Sequence, residues 1–236
     1  SLLISGYDYI RKVPGFFDGE FVVQDQSSCL AVKAAGINEG DLVVDVCAAP
    51  GGKTMYAAML TGSEGHVISR DLIDKKTELI EENIERLGLS NVTVQVHDAR
   101  EFDEELTGKA DVVIADLPCS GLGIMGRKND IKYHVSMESV KELAQLQREI
   151  LDTVCRYVKP GGTLVYSTCT IDSIENDENA VWFADTHDFS LCGIDDVVPE
   201  HGGERGFVTL HQGIDECDGF FISKFRADSN NQIGQE

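Results

Sequence analysis

The sequence predicts an α/β fold: a mostly parallel sheet with helices on both faces. Three observations predict it. Short β-branched apolar runs alternate with amphipathic helical stretches along most of the 236 residues, the order that produces crossover-connected parallel strands. Leu42-Val43-Val44, Val112-Val113-Ile114-Ala115 and Leu164-Val165-Tyr166 are apolar throughout, as strands covered on both faces are. A glycine loop then joins the first run directly to a helical segment, an arrangement suited to ligand binding.

The elements come in order. Residues 1 to 24 mix glycine, proline and aromatics and read as irregular, and the abrupt Ser1-Leu2-Leu3-Ile4 start leads us to expect a fragment of a longer chain. Gln24-Asp25-Gln26-Ser27-Ser28 precedes a helix stopping near Gly36. Leu42 to Val46 is the first strand, Gly52 to Leu60 a helix, and Gly65 to Asp71 the second strand. Asp74 is expected to cap a helix whose Leu79, Ile80, Ile84 and Leu87 repeat near period 3.6 and which ends at Gly88. Val92 to Val96 is the third strand and 111 to 115 the fourth. A glycine-rich basic loop comes after Cys119. Ser136 opens a long helix expected to run to Val158, then a Lys159-Pro160-Gly161-Gly162 turn and a fifth strand over 163 to 167. A helix is expected near 175 to 185. Two last strands, around Gly206 to Leu210 and Gly219 to Phe225, read as a closing hairpin, giving seven strands. The organisation expected is an N-terminal extension over 1 to 37, one catalytic domain over 38 to 227, and a disordered polar tail over 228 to 236.

Composition narrows the class. The hydrophobic fraction is 42%, ordinary for a packed core, and no apolar run of about 18 residues suggests a membrane span. Seven cysteines without a C-x-x-C pair argue against structural zinc, and no metal site is expected. Their odd number argues against a disulfide framework and for reduced thiols in the cytoplasm. Cys29, Cys155 and Cys192 fall on apolar segments and read as small core hydrophobes. The net charge of -21 works against binding a polyanion. The 124 to 134 segment nevertheless concentrates Arg127, Lys128 and Lys132, while acidic runs such as Glu175-Asn176-Asp177-Glu178 read as solvated faces.

The chemistry gathers at the carboxyl ends of the strands, where open α/β sheets bind ligands. Cys119 follows the fourth strand and Cys169 the fifth, suggesting a reactive pair. Asp45, Asp71, Asp98 and Asp116 end four successive strands; singly each reads as a cap, together as a site. The loop Cys47-Ala48-Ala49-Pro50-Gly51-Gly52-Lys53-Thr54 lacks G-x-G-x-x-G. It also lacks the leading glycine of a P-loop, since Cys47 stands there, so the dinucleotide reading weakens and the NTPase reading is set aside. A carboxylate rim suits a cationic ligand rich in hydroxyls.

That loop, with Asp116-Leu117-Pro118-Cys119-Ser120-Gly121, Asp130-Ile131-Lys132-Tyr133, Ser167-Thr168-Cys169-Thr170, Gln24 to Ser28 and Asp218-Gly219-Phe220-Phe221, resembles the motif set of the Nol/Nop/Sun family of RNA 5-methylcytosine methyltransferases. The motifs span about residue 16 to 225. The resemblance implies a Rossmann-like class I S-adenosylmethionine-dependent methyltransferase fold with a mostly parallel seven-stranded sheet, S-adenosylmethionine as cofactor and RNA as partner. It is strongest to bacterial enzymes of small-subunit ribosomal RNA, which carry an extra NusB-type N-terminal RNA-binding domain that this sequence lacks.

By the same resemblance, Asp45 with the loop Cys47, Ala48, Ala49, Pro50, Gly51, Gly52 and Lys53 holds the methionine part, Asp71 the ribose and Asp98 the adenine amine. Asp116 faces both the cofactor and the target base. The two cysteines cannot be ordered from residues alone; the resemblance assigns Cys169 as nucleophile and Cys119 to proton removal or product release. Cys47 reads as packing. Lys53 orders the site, meets phosphate, or is a solvated helix-start lysine; Tyr133 stacks on a base or anchors its loop in the core. The expected enzyme is a cytoplasmic monomer. The alternatives are a transfer-RNA substrate with the same chemistry, or a non-catalytic RNA-binding assembly factor.

Overall fold

The computed structural model describes residues 6, 8 to 201 and 203 to 229. Ser1-Leu2-Leu3-Ile4 and residues 230 to 236 of the expected tail lie outside them. Five parallel strands occupy the expected positions: β1 (Leu42–Asp45), β2 (His66–Asp71), β3 (Val92–Val96), β4 (Ala110–Asp116) and β5 (Val158–Thr168). They lie in the order β3-β2-β1-β4-β5, the doubly wound arrangement. Its strand order reverses beside β1, which places the ligand crevice at the carboxyl ends of β1 and β4.

The sheet has eight strands among the described residues, where seven were expected. The addition is β6 (Phe189–Leu191), too short to leave a periodic signal. The closing hairpin is present: β7 (Phe207–Leu210) pairs antiparallel with β8 (Phe220–Ala227), which itself runs antiparallel to β5. β6 and β7 share the far edge of β8, one along residues 225 to 227 and the other along 220 to 223.

Strand alternation feeds two cores. Val43, Val112, Ile114, Val165 and Ile222 point to one face, covered by α1 (Gln26–Ala35) and α2 (Gly52–Thr61). Val44, Val113, Leu164, Tyr166 and Phe221 point to the other, covered by α5 (Met137–Val154) and α6 (Asp177–Thr186). A smaller cluster of Ala48, Met55 and Ile80 joins α2 to α3 (Asp74–Leu87) beside the glycine loop.

Helix ends obey local chemistry, with corrections. Asp25 caps α1 by accepting the Ser27 N–H at 3.0 Å, and Gly36 closes it at φ 67°. Asp74 does not cap α3. Ile73 holds that position and Asp74 is the first helical residue, where its charge meets the positive end of the helix dipole. Ser136 caps α5 through a capping box, but the helix ends at Val154 rather than Val158. A 3₁₀ turn over Cys155–Tyr157 brings the chain down so that Val158 already pairs with Ala110. The expected 159–162 turn is therefore an irregularity inside β5, where pairing jumps from Ala110↔Val158 to Val112↔Thr163. The loop after Cys119 contains one further helical turn, α4 (Ile131–His134), which sequence periodicity is too short to show. No helix among the described residues is long and apolar enough to cross a membrane.

Candidate active site

Strand register builds the site. Asp116, the last residue of β4, pairs with Ser167 of β5, so the two chain segments leaving these strands emerge side by side. The Ser167 hydroxyl donates to Asp116 Oδ1 at 2.9 Å. Beyond this, the Sγ atoms of Cys119 and Cys169 approach to 3.2 Å. One step further, the Ser120 and Thr170 hydroxyls meet at 2.8 Å. Residues some fifty positions apart thus form three side-chain rungs.

The thiol pair is polarised. Either sulfur can donate in this contact; with Cys119 as donor it lowers the Cys169 pKa below that of an ordinary thiol, and Lys53 adds a favourable charge against burial and Asp116. The same contact, with burial, drives Cys119 well up. That polarity favours Cys169 over Cys119 as the thiolate. Cys47, on the glycine loop, packs against the sheet core and also lines the cleft; burial pushes its thiol up. Of the three cysteines expected in the core, only Cys155 is buried; Cys29 and Cys192 are half-buried.

The glycine loop runs from β1 into α2. Gly51 stands at φ 101°, a conformation that favours glycine, and opens the first turn of α2 toward the cleft. Lys53 is buried, ion-paired with Asp116 Oδ2 at 2.5 Å and bonded to Ser28 Oγ at 2.7 Å. The solvated reading of Lys53 fails for this reason: its ammonium is held by Asp116 and Ser28 at the wall of the cleft. Beside it is a cleft of about 200 Å³ lined by Gln24, Asp45, Cys47 to Pro50, Gly52, Lys53 and Asp116.

Two buried polar atoms among the cleft-lining residues, Asp45 Oδ1 and Gln24 Nε2, have no hydrogen-bond partner within the protein. A buried acceptor and a buried donor fit a ligand carrying an amine and a carboxylate, the two ends of a methionine moiety. Burial raises the Asp45 pKa to about 7, against the opposing hydrogen bond from Thr54 and the charge of Lys53.

Asp71 and Asp98 are not brought into this cleft. Asp71, at the end of β2, accepts the N–H groups of Ala49 and Ile73, each at 3.2 Å, and so braces the glycine loop. Asp98 lies two residues beyond β3 and is held by Arg100 at 2.6 Å, which lowers its pKa.

The basic segment departs from expectation. Arg127 bridges Asp25 at 2.7 Å and Asp218 at 3.1 Å, so its charge is spent in tying the loop to α1 and to the start of β8. Lys128 and Lys132 remain exposed. Tyr133 is 76% exposed, which removes the reading that it anchors its loop in the core.

Glu175 and Asn176 overturn the solvated-face reading of their acidic run, because both are fully buried behind the cysteines. Glu175 and Gln147 were missed as site residues. A buried carboxylate carries no charge-pattern signal, and its only sequence cue is its place just after the Cys169 strand.

The matching family model, described as 16S rRNA methyltransferase RsmB/F, covers residues 33–226. The probable ribosomal RNA small subunit methyltransferase B of Bacillus subtilis is 42% identical over 220 residues, 89% of this chain and 48% of that protein. Ribosomal RNA small subunit methyltransferase F of Escherichia coli is 35% identical over 88% of this chain and 45% of that protein. The chain thus spans about half the length of these curated relatives. The crystal structure of NSun6 from Pyrococcus horikoshii with SFG, an analogue of S-adenosylmethionine, matches with a TM-score of 0.80 at 29% identity, over 93% of this chain and 56% of that one. An S-adenosylmethionine-dependent O-methyltransferase from Thermotoga maritima, 16% identical with a TM-score of 0.57, shares the fold alone. The fold is the Rossmann-like one of S-adenosylmethionine-dependent methyltransferases, S-adenosylmethionine is the cofactor of the class, and the chain belongs to the RsmB/F family of 16S ribosomal RNA methyltransferases.

Proposed function

We propose that this chain methylates carbon 5 of cytosine in small-subunit ribosomal RNA, through a covalent bond between Cys169 and carbon 6 of the base. The observation that carries the proposal is the pair of sulfurs 3.2 Å apart at the sheet rim, with Asp116 and Lys53 beside them. The names of the relatives support the ribosomal substrate, and a cytoplasmic monomer belongs to the same proposal.

Carbon 5 of cytosine is too weakly nucleophilic to take a methyl group unaided. The Cys169 thiolate adds to carbon 6, and the ring electron pair moves toward N3, which takes a proton from the Lys53–Asp116 pair. The ring is then an enamine with electron density on carbon 5. S-adenosylmethionine supplies the methyl group as an electrophilic carbon.

Cys119 acts next. Once Cys169 has spent its charge on carbon 6, the hydrogen bond and like-charge repulsion that helped keep Cys119 protonated are gone, and Cys119 gives up its proton to water. Its thiolate removes the carbon 5 proton. The electron pair left behind forms the C5–C6 double bond as the bond from sulfur to carbon 6 breaks, which returns Cys169 as a thiolate, and N3 returns its proton to the Lys53–Asp116 pair. A stacked target base must first leave its stack to reach this pocket. Exposed Tyr133, Lys128 and Lys132 are the groups offered to RNA there.

Labelled methyl transfer to purified small-subunit ribosomal RNA and to transfer RNA, read by bisulfite sequencing, tests the proposal. Methylcytosine in the ribosomal RNA alone is expected. Methyl transfer that survives Cys169→Ser would overturn the chemistry, and methylation confined to transfer RNA would overturn the substrate. Binding without methyl transfer would favour an assembly factor.

A further inference from the structure

We propose that Glu175 is a positioning residue whose buried carboxylate holds the loop of Cys119 against the strand end of Cys169 and so sets the separation of the two sulfurs. This rests on the reaction proposed above.

The side chain is fully buried. Its Oε1 accepts the Ser120 N–H at 2.9 Å and the Gln147 amide at 3.0 Å, and its Oε2 accepts the Ser120 hydroxyl. The Gln147 amide also donates to the Pro118 carbonyl at 2.9 Å. Both neighbours of Cys119 are therefore tied to one carboxylate, directly or through one side chain.

The neighbours of Cys169 end in the same place. Thr170 meets Ser120 at 2.8 Å. The adjacent Asn176 donates to the Thr170 carbonyl at 3.0 Å and accepts from the Thr168 hydroxyl at 2.6 Å. Tyr166, fully buried on β5, closes the network by donating to Gln147 at 3.0 Å.

A buried carboxylate is costly unless its lone pairs are filled, and only an apolar set in place of Glu175, Ser120 and Gln147 together would serve stability as well. What an apolar residue would not do is fix both loops to one point. The thiol–thiol contact depends on that point. A shift of a few tenths of an ångström in the Cys119 loop weakens the hydrogen bond that favours the Cys169 thiolate, and moves Cys119 away from carbon 5. Glu175→Gln removes the charge that strengthens the Ser120 and Gln147 bonds and puts an amide donor where Oε2 accepts the Ser120 hydroxyl, so that hydroxyl must turn and the hold on the loop weakens.

The test uses the full chain and the variants Glu175→Gln and Ser120→Ala, checked for melting temperature and S-adenosylmethionine binding. The first readout is the pH profile of Cys169 alkylation by iodoacetamide, followed on the Cys169 peptide; it needs no RNA. The midpoint is expected to rise in Glu175→Gln, so that labelling near neutral pH slows about tenfold. Ser120→Ala, which keeps the N–H link, should shift it the same way by less. The second readout is the lifetime of the protein–RNA adduct, expected to lengthen in both variants.

A folded Glu175→Gln with the wild-type alkylation profile and adduct lifetime overturns the proposal. Should Glu175→Gln fail to fold, an unshifted profile in Ser120→Ala overturns it. If Cys169→Ser still methylates RNA, the reaction itself is wrong, while the alkylation profile still judges the hold of Glu175 on the thiol pair.

Discussion

Lys53 Nζ lies 2.5 Å from Asp116 Oδ2 and is only 8% exposed, so one lysine joins the glycine loop to the end of β4. Its second bond, to Ser28, draws α1 into the same centre. Lys53→Met keeps the unbranched side chain to within one atom and removes the charge, leaving the Asp116 carboxylate without its cation. Because Asp116 is partly exposed, the expected loss of stability is about 1–3 kcal/mol, below that of a fully buried pair. Methyl transfer should fall by at least about tenfold, since N3 of the base loses its proton source and Asp116 its orientation. Denaturant unfolding and single-turnover kinetics check the two effects.

The two thiols predict opposite behaviour from similar substitutions. Cys169→Ser should abolish methyl transfer, because a hydroxyl is not ionised at neutral pH and does not add to carbon 6. Cys119→Ala should still form the bond to carbon 6 and then stall, so a slow-migrating protein–RNA band accumulates on a denaturing gel. Absence of that band would count against the release role of Cys119.

Asp45 predicts a pH dependence. Its carboxyl is pushed from 3.8 to about 7 by burial, outweighing Lys53 and the Thr54 hydroxyl, while the charges of Asp71 and Asp116 push the same way. Between those values the folded state holds a proton that the unfolded state has lost. Stability therefore falls as pH rises from about 4 to 7, by on the order of 4 kcal/mol, and the loss levels off above that. A cationic amine at the cleft favours the ionised form, so affinity for S-adenosylmethionine should rise over the same approach to neutrality. Asp45→Asn should flatten both profiles, measured by thermal unfolding and by titration calorimetry from pH 5 to 8.

Gly123 predicts a backbone contact. A Cβ there would stand 2.0 Å from the Gly219 carbonyl oxygen and 2.9 Å from that of Cys169. Both neighbours are main chain and cannot swing aside. The Gly123 N–H also donates to the Cys169 carbonyl at 3.0 Å. Gly123→Ala should cost about 1–3 kcal/mol and lower the melting temperature by about 2–4 °C for each of them. Its methyl transfer should fall with it, because the loop that packs on Cys169 must retreat. Calorimetry on the purified variant reads the first effect.

The positions of the parallel strands along the chain, the glycine loop and the two cysteines at the rim were legible in the residues. Apolar runs such as Val112 to Ala115 record burial on both faces, and a strand's carboxyl end needs only chain direction to be located. The departures are local or long-range. α4 and β6 are four and three residues long, too short for a period to show. The end of α5 was displaced because Val158 pairs with Ala110, a contact invisible to helical periodicity.

Chain chemistry by itself determined the class of fold and which side chains reach its rim, because hydrophobic period and glycine placement are properties of neighbours in sequence. Tertiary structure alone decided that the two sulfurs meet, that Arg127 is spent on Asp25 and Asp218, and that Glu175 lies inside rather than in water. Charge state and burial are set by groups brought together from distant positions, such as Cys119 beside Cys169 and Lys53 beside Asp116. A hydrogen bond or ion pair acts over a few ångströms of space, whatever the length of chain between its partners.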